Sequence, residues 1–123
     1  QGLQKADSNA GLLLLAQMSS GGYFTSDYTA EAVRLAQAYD DYVFGFICQK
    51  RLIENPGFVH MTPGVKLEAG VDALGQNYRS VEDAILRDGC DVGIVGRGII
   101  EADDPLATTQ AYRARAWDAY QKF

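Results

Sequence analysis

Residues 42–48 read Tyr-Val-Phe-Gly-Phe-Ile-Cys, a run with no charged side chain and no alternation of polar with apolar positions. A strand with one face in water alternates, whereas a strand covered on both faces does not. Tyr42–Cys48 therefore reads as a strand of a buried parallel sheet. Working outward, Leu12–Met18 (LLLLAQM) and Asp91–Val95 (DVGIV) are also continuously apolar, and Phe58–Met61 (FVHM) is a shorter strand-like run. Four parallel strands are expected, starting near Leu12, Val43, Val59 and Val92.

Helices fall between and after these runs. Asp27 is placed to cap a helix running to about Tyr39, with Tyr28, Ala32, Leu35, Ala36 and Tyr39 on one face. Ser80-Val81-Glu82-Asp83 resembles a capping box, and Gly89 stands where the helix would stop. Asp104-Pro105 is a cap followed by proline at the first helical position. From there the longest helix carries Leu106, Tyr112, Ala116 and Tyr120 along one side. Arg51–Gly57 has room only for a turn or a short helix. Lys66–Tyr78 (KLEAGVDALGQNY) reads as a long polar connection, of the kind that closes over a ligand. Repeated strand–helix units imply parallel strands joined by crossovers. Four such units are half of what a closed barrel requires. The opening Gln1-Gly2-Leu3-Gln4-Lys5 has no cap and no strand before it, so the chain reads as a fragment of one domain spanning residues 1–123.

Composition narrows the function classes. The 123 residues are 47% hydrophobic and 22% charged, as in an ordinary globular protein. A net charge of −5 argues against nucleic-acid binding, which needs clustered Lys and Arg. One phosphate remains bindable, because a local nest of amides and one Arg suffice. No apolar run approaches the roughly 18 residues of a membrane span, and no signal peptide is evident. Cys48 and Cys90 lack C-x-x-C spacing and read as free thiols of a cytoplasmic protein. A single histidine, His60, leaves no cluster to hold a metal.

Each strand ends in something chemically distinctive: Ser19-Ser20-Gly21-Gly22, Gln49-Lys50, Thr62-Pro63-Gly64-Val65 and Gly96-Arg97-Gly98. In parallel α/β folds the C-terminal strand ends carry the ligand. Gly96 and Gly98 would let backbone approach an anion, and the fork of Arg97 matches phosphate oxygens. The bland alternative is a tight turn with Arg97 on a local carboxylate. Ser19-Ser20 reads either as a ligand contact or as a self-bonded turn, and Thr62–Val65 as a turn. Gln76 and Tyr78 share a side if that segment is extended. Lys50 reads as a salt-bridged surface lysine rather than a catalytic amine, and His60 as a packed, hydrogen-bonded histidine. Trp117 and the last-helix tyrosines read as packing. No carboxylate–lysine set and no nucleophile motif appears.

Together L-A-Q-M-S-S-G-G, D-Y-T, G-F-I, M-T-P-G-V, D-A-L-G-Q-N-Y-R and I-V-G-R-G-I-I, in this order, resemble the second half of the orotidine 5′-monophosphate decarboxylase family. The closest likeness is to its eukaryotic type, as in the C-terminal domain of UMP synthase. The resemblance implies a (β/α)₈ barrel with these as strands five to eight, conversion of orotidine monophosphate (OMP) to UMP and CO₂, no cofactor and a homodimer. It places Ser19 on the pyrimidine edge and Pro63 on the wall of the base and carboxylate pocket. Gln76 and Tyr78 would lie on a closing loop that reaches the phosphate, and Gly96 and Arg97 in the phosphate grip. Gln17 stands where the family usually has Glu, and Asn77 where a second Gln is common. The family's D-x-K-x-x-D catalytic motif is absent, so no catalytic residue is assigned and the chain alone is expected to be inactive. The missing half of the barrel is the implied partner. Two other readings stay open: a sugar-phosphate lyase or isomerase on a related barrel, and a non-catalytic phosphate-binding half-barrel.

Overall fold

Branched and aromatic side chains favour extended backbone, and the four apolar runs are the four strands of one sheet. The computed structural model describes residues 10–18, 25–71 and 77–122. Along the chain come β1 (Leu12–Leu15), α1 (Ser26–Ala38), β2 (Val43–Ile47), β3 (Val59–Pro63) and β4 (Val65–Lys66). They are followed by β5 (Gly70–Val71), β6 (Asn77–Ser80), α2 (Asp83–Arg87), β7 (Val92–Ile94), α3 (Arg97–Ile100) and α4 (Pro105–Tyr120). The main sheet has the order β1-β2-β3-β7, and every pairing in it is parallel. The expected starts and direction hold, and α4 is the longest helix among the described residues.

Partners in a parallel ladder share a face, so register sorts the side chains. Phe46 pairs with His60 and Thr62 with Gly93 on the covered face. Leu15, Ile47, Met61 and Val92 align in one row on the other. Over the covered face, α1 presents Ala32 and Ala36, whose small side chains let the helix settle against Ala16, Val43, Phe46 and Cys48. A second cluster joins Val65, Val81, Ala84, Cys90 and Tyr112.

Burial on both faces does not hold for every strand. In β1, Leu12 and Leu15 are exposed, in β7 so are Val92 and Ile94, and even in the central strand β2 Phe44 is exposed. β1 and β7 are the outer strands of the sheet, and the helices among the described residues cover one face.

The caps are local and mostly as read. Asp104 accepts from the Ala107 N–H at 2.9 Å, with Pro105 behind it. Ser80 Oγ accepts from the Asp83 N–H at 3.1 Å. The helix it starts widens to π-helical spacing, with the Asp88 N–H donating to the Asp83 carbonyl at 3.0 Å, and ends at Gly89 with φ 70°. For α1 the cap is Thr25 rather than Asp27: Thr25 Oγ1 accepts from the Tyr28 N–H at 3.2 Å. Asp27 instead lies in the first turn, where a carboxylate faces the positive helix end.

The expected helix faces are too wide. Tyr28 and Leu35 of α1 are exposed, as is Tyr39 just after it, and so are Leu106 and Tyr120 of α4. Trp117, expected to pack against neighbours, is exposed as well. Tyr112 and Ala119 are the buried residues of α4.

Residues 66–78 are not simply a connection. Gly64, at φ 75°, turns the chain out of β3. Thr62 and Pro63 therefore finish that strand instead of forming the turn. Beyond the turn, β4 pairs parallel with β6, and β6 pairs antiparallel with β5. The polar composition hid these strands because a two-residue strand such as β4 buries one side chain, Val65, and leaves Lys66 half-exposed.

Candidate functional site

Four parallel strands bring four C-terminal ends to one edge. Ser19, which follows the first of these ends in sequence, lies outside the described residues, and the described residues before it are well tied. The Tyr28 hydroxyl donates to the Leu15 carbonyl at 2.9 Å, and Thr29 Oγ1 to the Ala16 carbonyl at 3.0 Å. Gln17 Oε1 accepts from the Gln49 N–H at 2.9 Å, joining the first strand end to the second. A carboxylate would accept that bond equally well, which accounts for Gln where the resemblance led one to expect Glu.

The third and fourth strand ends lie side by side, with Pro63 in register with Ile94. Beyond Ile94 the chain passes Gly96, where an added Cβ would meet nothing within 4 Å, and enters α3 at Arg97. Pairing of β4 with β6 carries Tyr78 back over this edge, and Arg97 donates to the Tyr78 hydroxyl at 2.6 Å. Lys66 Nζ lies 3.8 Å from the centroid of the same ring. Gln76 lies outside the described residues. Of the sequence-predicted site residues, the structure thus gathers Pro63, Tyr78, Gly96 and Arg97.

Two further residues build this corner. Arg79 donates to the Gln49 carbonyl, to Gln49 Oε1 and to Asp88, pinning β6 to the body of the sheet. The Tyr112 hydroxyl accepts from the Leu67 N–H at 3.2 Å, and a Cβ at Gly98 would lie 2.4 Å from that same oxygen. Gly98 therefore serves the approach of α3 to α4. Lys66 and Arg79 escaped the sequence reading; the one available signal was their place directly after M-T-P-G-V and G-Q-N-Y.

Other candidates stand apart. Lys50 is exposed and, among the described residues, pairs with no carboxylate, so it is not the salt-bridged lysine expected. His60 is fully buried, stacked on Phe46, with Nδ1 3.2 Å from Asp91 Oδ2. That is the packed histidine expected. Cys48 and Cys90 are free and buried, and burial pushes the Cys48 thiol up to about 12, which removes it as a nucleophile. A cleft of about 800 Å³ opens elsewhere, lined by Arg51, Ile85, Cys90, Arg113, Trp117 and Tyr120. It touches none of the gathered residues. The strand-end corner has the chemistry of anion recognition: a guanidinium, a phenol and an ammonium, with glycine backbone beside them.

Residues 1–112 match the model of the "Orotidine 5'-phosphate decarboxylase / HUMPS family". An orotidine 5'-phosphate decarboxylase of Phycomyces blakesleeanus is 50% identical over 114 residues, 89% of this chain and 43% of that protein. The uridine 5'-monophosphate synthase of Bos taurus is 48% identical over 109 residues, 88% of this chain and 23% of that protein. A decarboxylase of Hypocrea atroviridis is 41% identical over 133 residues, 97% of this chain and 35% of that protein. The chain spans less than half the length of each of these curated relatives. With an all-parallel main sheet and a family match over residues 1–112, the chain belongs to the orotidine 5′-phosphate decarboxylase family.

Proposed function

We propose that these residues form strands five to eight of a (β/α)₈ decarboxylase barrel, and that they hold the nucleotide while residues elsewhere in the enzyme carry the reaction. The complete enzyme converts OMP to UMP and CO₂ in pyrimidine biosynthesis, as a cytoplasmic homodimer without a cofactor. Arg97, Tyr78, Gln76 and the Gly96 backbone grip the phosphate. Ser19 meets the pyrimidine edge, and Pro63 lines the base pocket. The observation that carries this reading is the 2.6 Å bond from Arg97 to Tyr78. It joins two distant motifs beside Pro63, at the edge where parallel α/β folds bind ligands.

The chemistry follows from the division of labour. Phosphate sits far from the carbon that loses CO₂, yet binding energy from remote groups lowers the barrier at the reacting centre. A segment that closes over the nucleotide also excludes water. Pro63 lines the carboxylate end of the base pocket as well, and no residue of this chain is assigned to proton transfer. Among the described residues, no helix is long and apolar enough to cross a membrane.

The test is calorimetric titration of UMP into the complete enzyme and its variants, with a pentulose phosphate as control. Arg97→Ala should cost about 2–5 kcal/mol of UMP binding, as when one partner of a desolvated charge pair is removed. Arg97→Lys should recover part, since a point charge lacks the fork. Lys50→Ala should change binding by less than about 0.5 kcal/mol. UMP binding to Arg97→Ala at the parent's affinity places the phosphate elsewhere, and preference for the pentulose phosphate favours the lyase or isomerase reading.

A further inference from the structure

Lys66 occupies a place that neither its family resemblance nor its own charge explains. None of the ion pairs among the described residues includes it. The acidic side chain nearest in sequence, Glu68, turns instead to Arg115 at 3.3 Å. The ammonium lies over the Tyr78 ring, 3.8 Å from its centroid, while the Arg97 guanidinium carbon is 5.9 Å from the same centroid and its Nη2 meets the hydroxyl. Two cations thus hold one phenol, one at its face and one at its oxygen.

The backbone under Lys66 is anchored on both sides. Val65 is buried in the second core, and the Leu67 N–H donates to the Tyr112 hydroxyl at 3.2 Å. Tyr78 belongs to β6, which pairs with β4. From this anchored backbone the Lys66 ammonium reaches the ring face, where it favours one ring plane, and the ring plane sets where the hydroxyl points. That hydroxyl accepts from Arg97, and a phenol oxygen has capacity for more than one hydrogen bond.

We propose that Lys66 is a positioning residue for the phosphate grip: its ammonium, resting on the Tyr78 ring, holds the phenol where its hydroxyl meets both Arg97 and a phosphate oxygen of the nucleotide. The proposal rests on the nucleotide reading above and adds a residue to it.

The experiment uses the complete enzyme with Lys66→Met and Lys66→Arg, each alone and combined with Tyr78→Ala. Lys66→Met should weaken UMP binding about 2- to 5-fold, the fold-change of a cation–π contact at a part-exposed site. In steady-state kinetics on OMP the loss should fall on KM rather than kcat. Lys66→Arg should stay near the parent, because guanidinium also stacks on aromatic faces. In the Tyr78→Ala background Lys66→Met should cost nothing more. Parent-like binding by Lys66→Met overturns the proposal, and so does an equal loss without the ring, which would put the ammonium on the ligand itself. If the parent enzyme fails to bind UMP, the nucleotide reading falls. Denaturant unfolding of Lys66→Met, Tyr78→Ala and their combination then decides the positioning role, and zero coupling sinks it.

Discussion

At Gly45 a side chain is excluded by the neighbouring strand. A Cβ there would lie 2.1 Å from the Val59 carbonyl oxygen and 2.9 Å from its carbon, both backbone atoms. Gly45 pairs with Val59 in the β2–β3 ladder, so alanine must push the two strands apart. In the complete protein Gly45→Ala should cost about 1–3 kcal/mol, the range for overpacking a close-fitted interior. Urea unfolding measures this, and a midpoint equal to the parent's would show that the ladder yields freely. Nothing in Y-V-F-G-F-I-C announced the collision, because its partner atom belongs to a different strand. Arg97 was legible for the opposite reason: two flanking glycines and a strand end are all local. Lys66 was not, since its aromatic partner arrives only when β4 pairs with β6.

Local chemistry also explains which elements were readable. Ser80, Gly89 and Asp104-Pro105 act on backbone groups within a few residues, and each does what its type and position imply. Thr25 and Asp27 are both good caps, so spacing alone did not choose between them. The buried width of a helix depends on its neighbours, which is why Ala32 and Ala36 are covered while Tyr28 and Tyr39 are not. Asp91, ahead of β7, was not singled out at all, yet it ties elements together. Its carboxylate accepts from the His60 N–H at 2.8 Å and from Arg51 at 2.7 Å. Burial alone would raise this carboxyl, but the His60 N–H, the Arg51 guanidinium and the His60 ring outweigh it and hold it below the ordinary Asp range. A carboxyl lowered by folding contributes stability above its unfolded value, about 3.9, and loses it as pH falls through the folded value. Asp91→Asn should therefore be less stable than the parent at neutral pH, with the gap closing as pH drops below about 3.9. Urea midpoints measured across that range test it; a gap independent of pH would mean that the carboxylate's charge contributes nothing.

Across the whole molecule, strand order and direction were legible because continuous apolar runs separated by helices admit few topologies. Burial on both faces was not, because these residues supply cover for one face. On the other, Leu15 is 41% exposed and Val92 40% at the two ends of the row through Ile47 and Met61. Beside the outer edge of β7, Trp117 and Tyr120 stand exposed at the 800 Å³ cleft. Outer strands present unpaired N–H and C=O groups, and contiguous apolar surface of this kind promotes association. The 123 residues made alone should therefore aggregate or fold poorly, and should show no decarboxylation of OMP, since the family's D-x-K-x-x-D motif is not among them. On the proposal that these are strands five to eight, co-expression with the other half of the barrel should restore solubility by covering the row Leu15–Ile47–Met61–Val92 and pairing the edges of β1 and β7. Sedimentation velocity of the isolated chain and of the co-expressed pair, each beside an activity assay, makes the comparison. A monodisperse monomer that melts cooperatively on its own would mean that the exposed row is stable in water without a cover, and turnover by it would mean that the reacting groups lie in these residues after all.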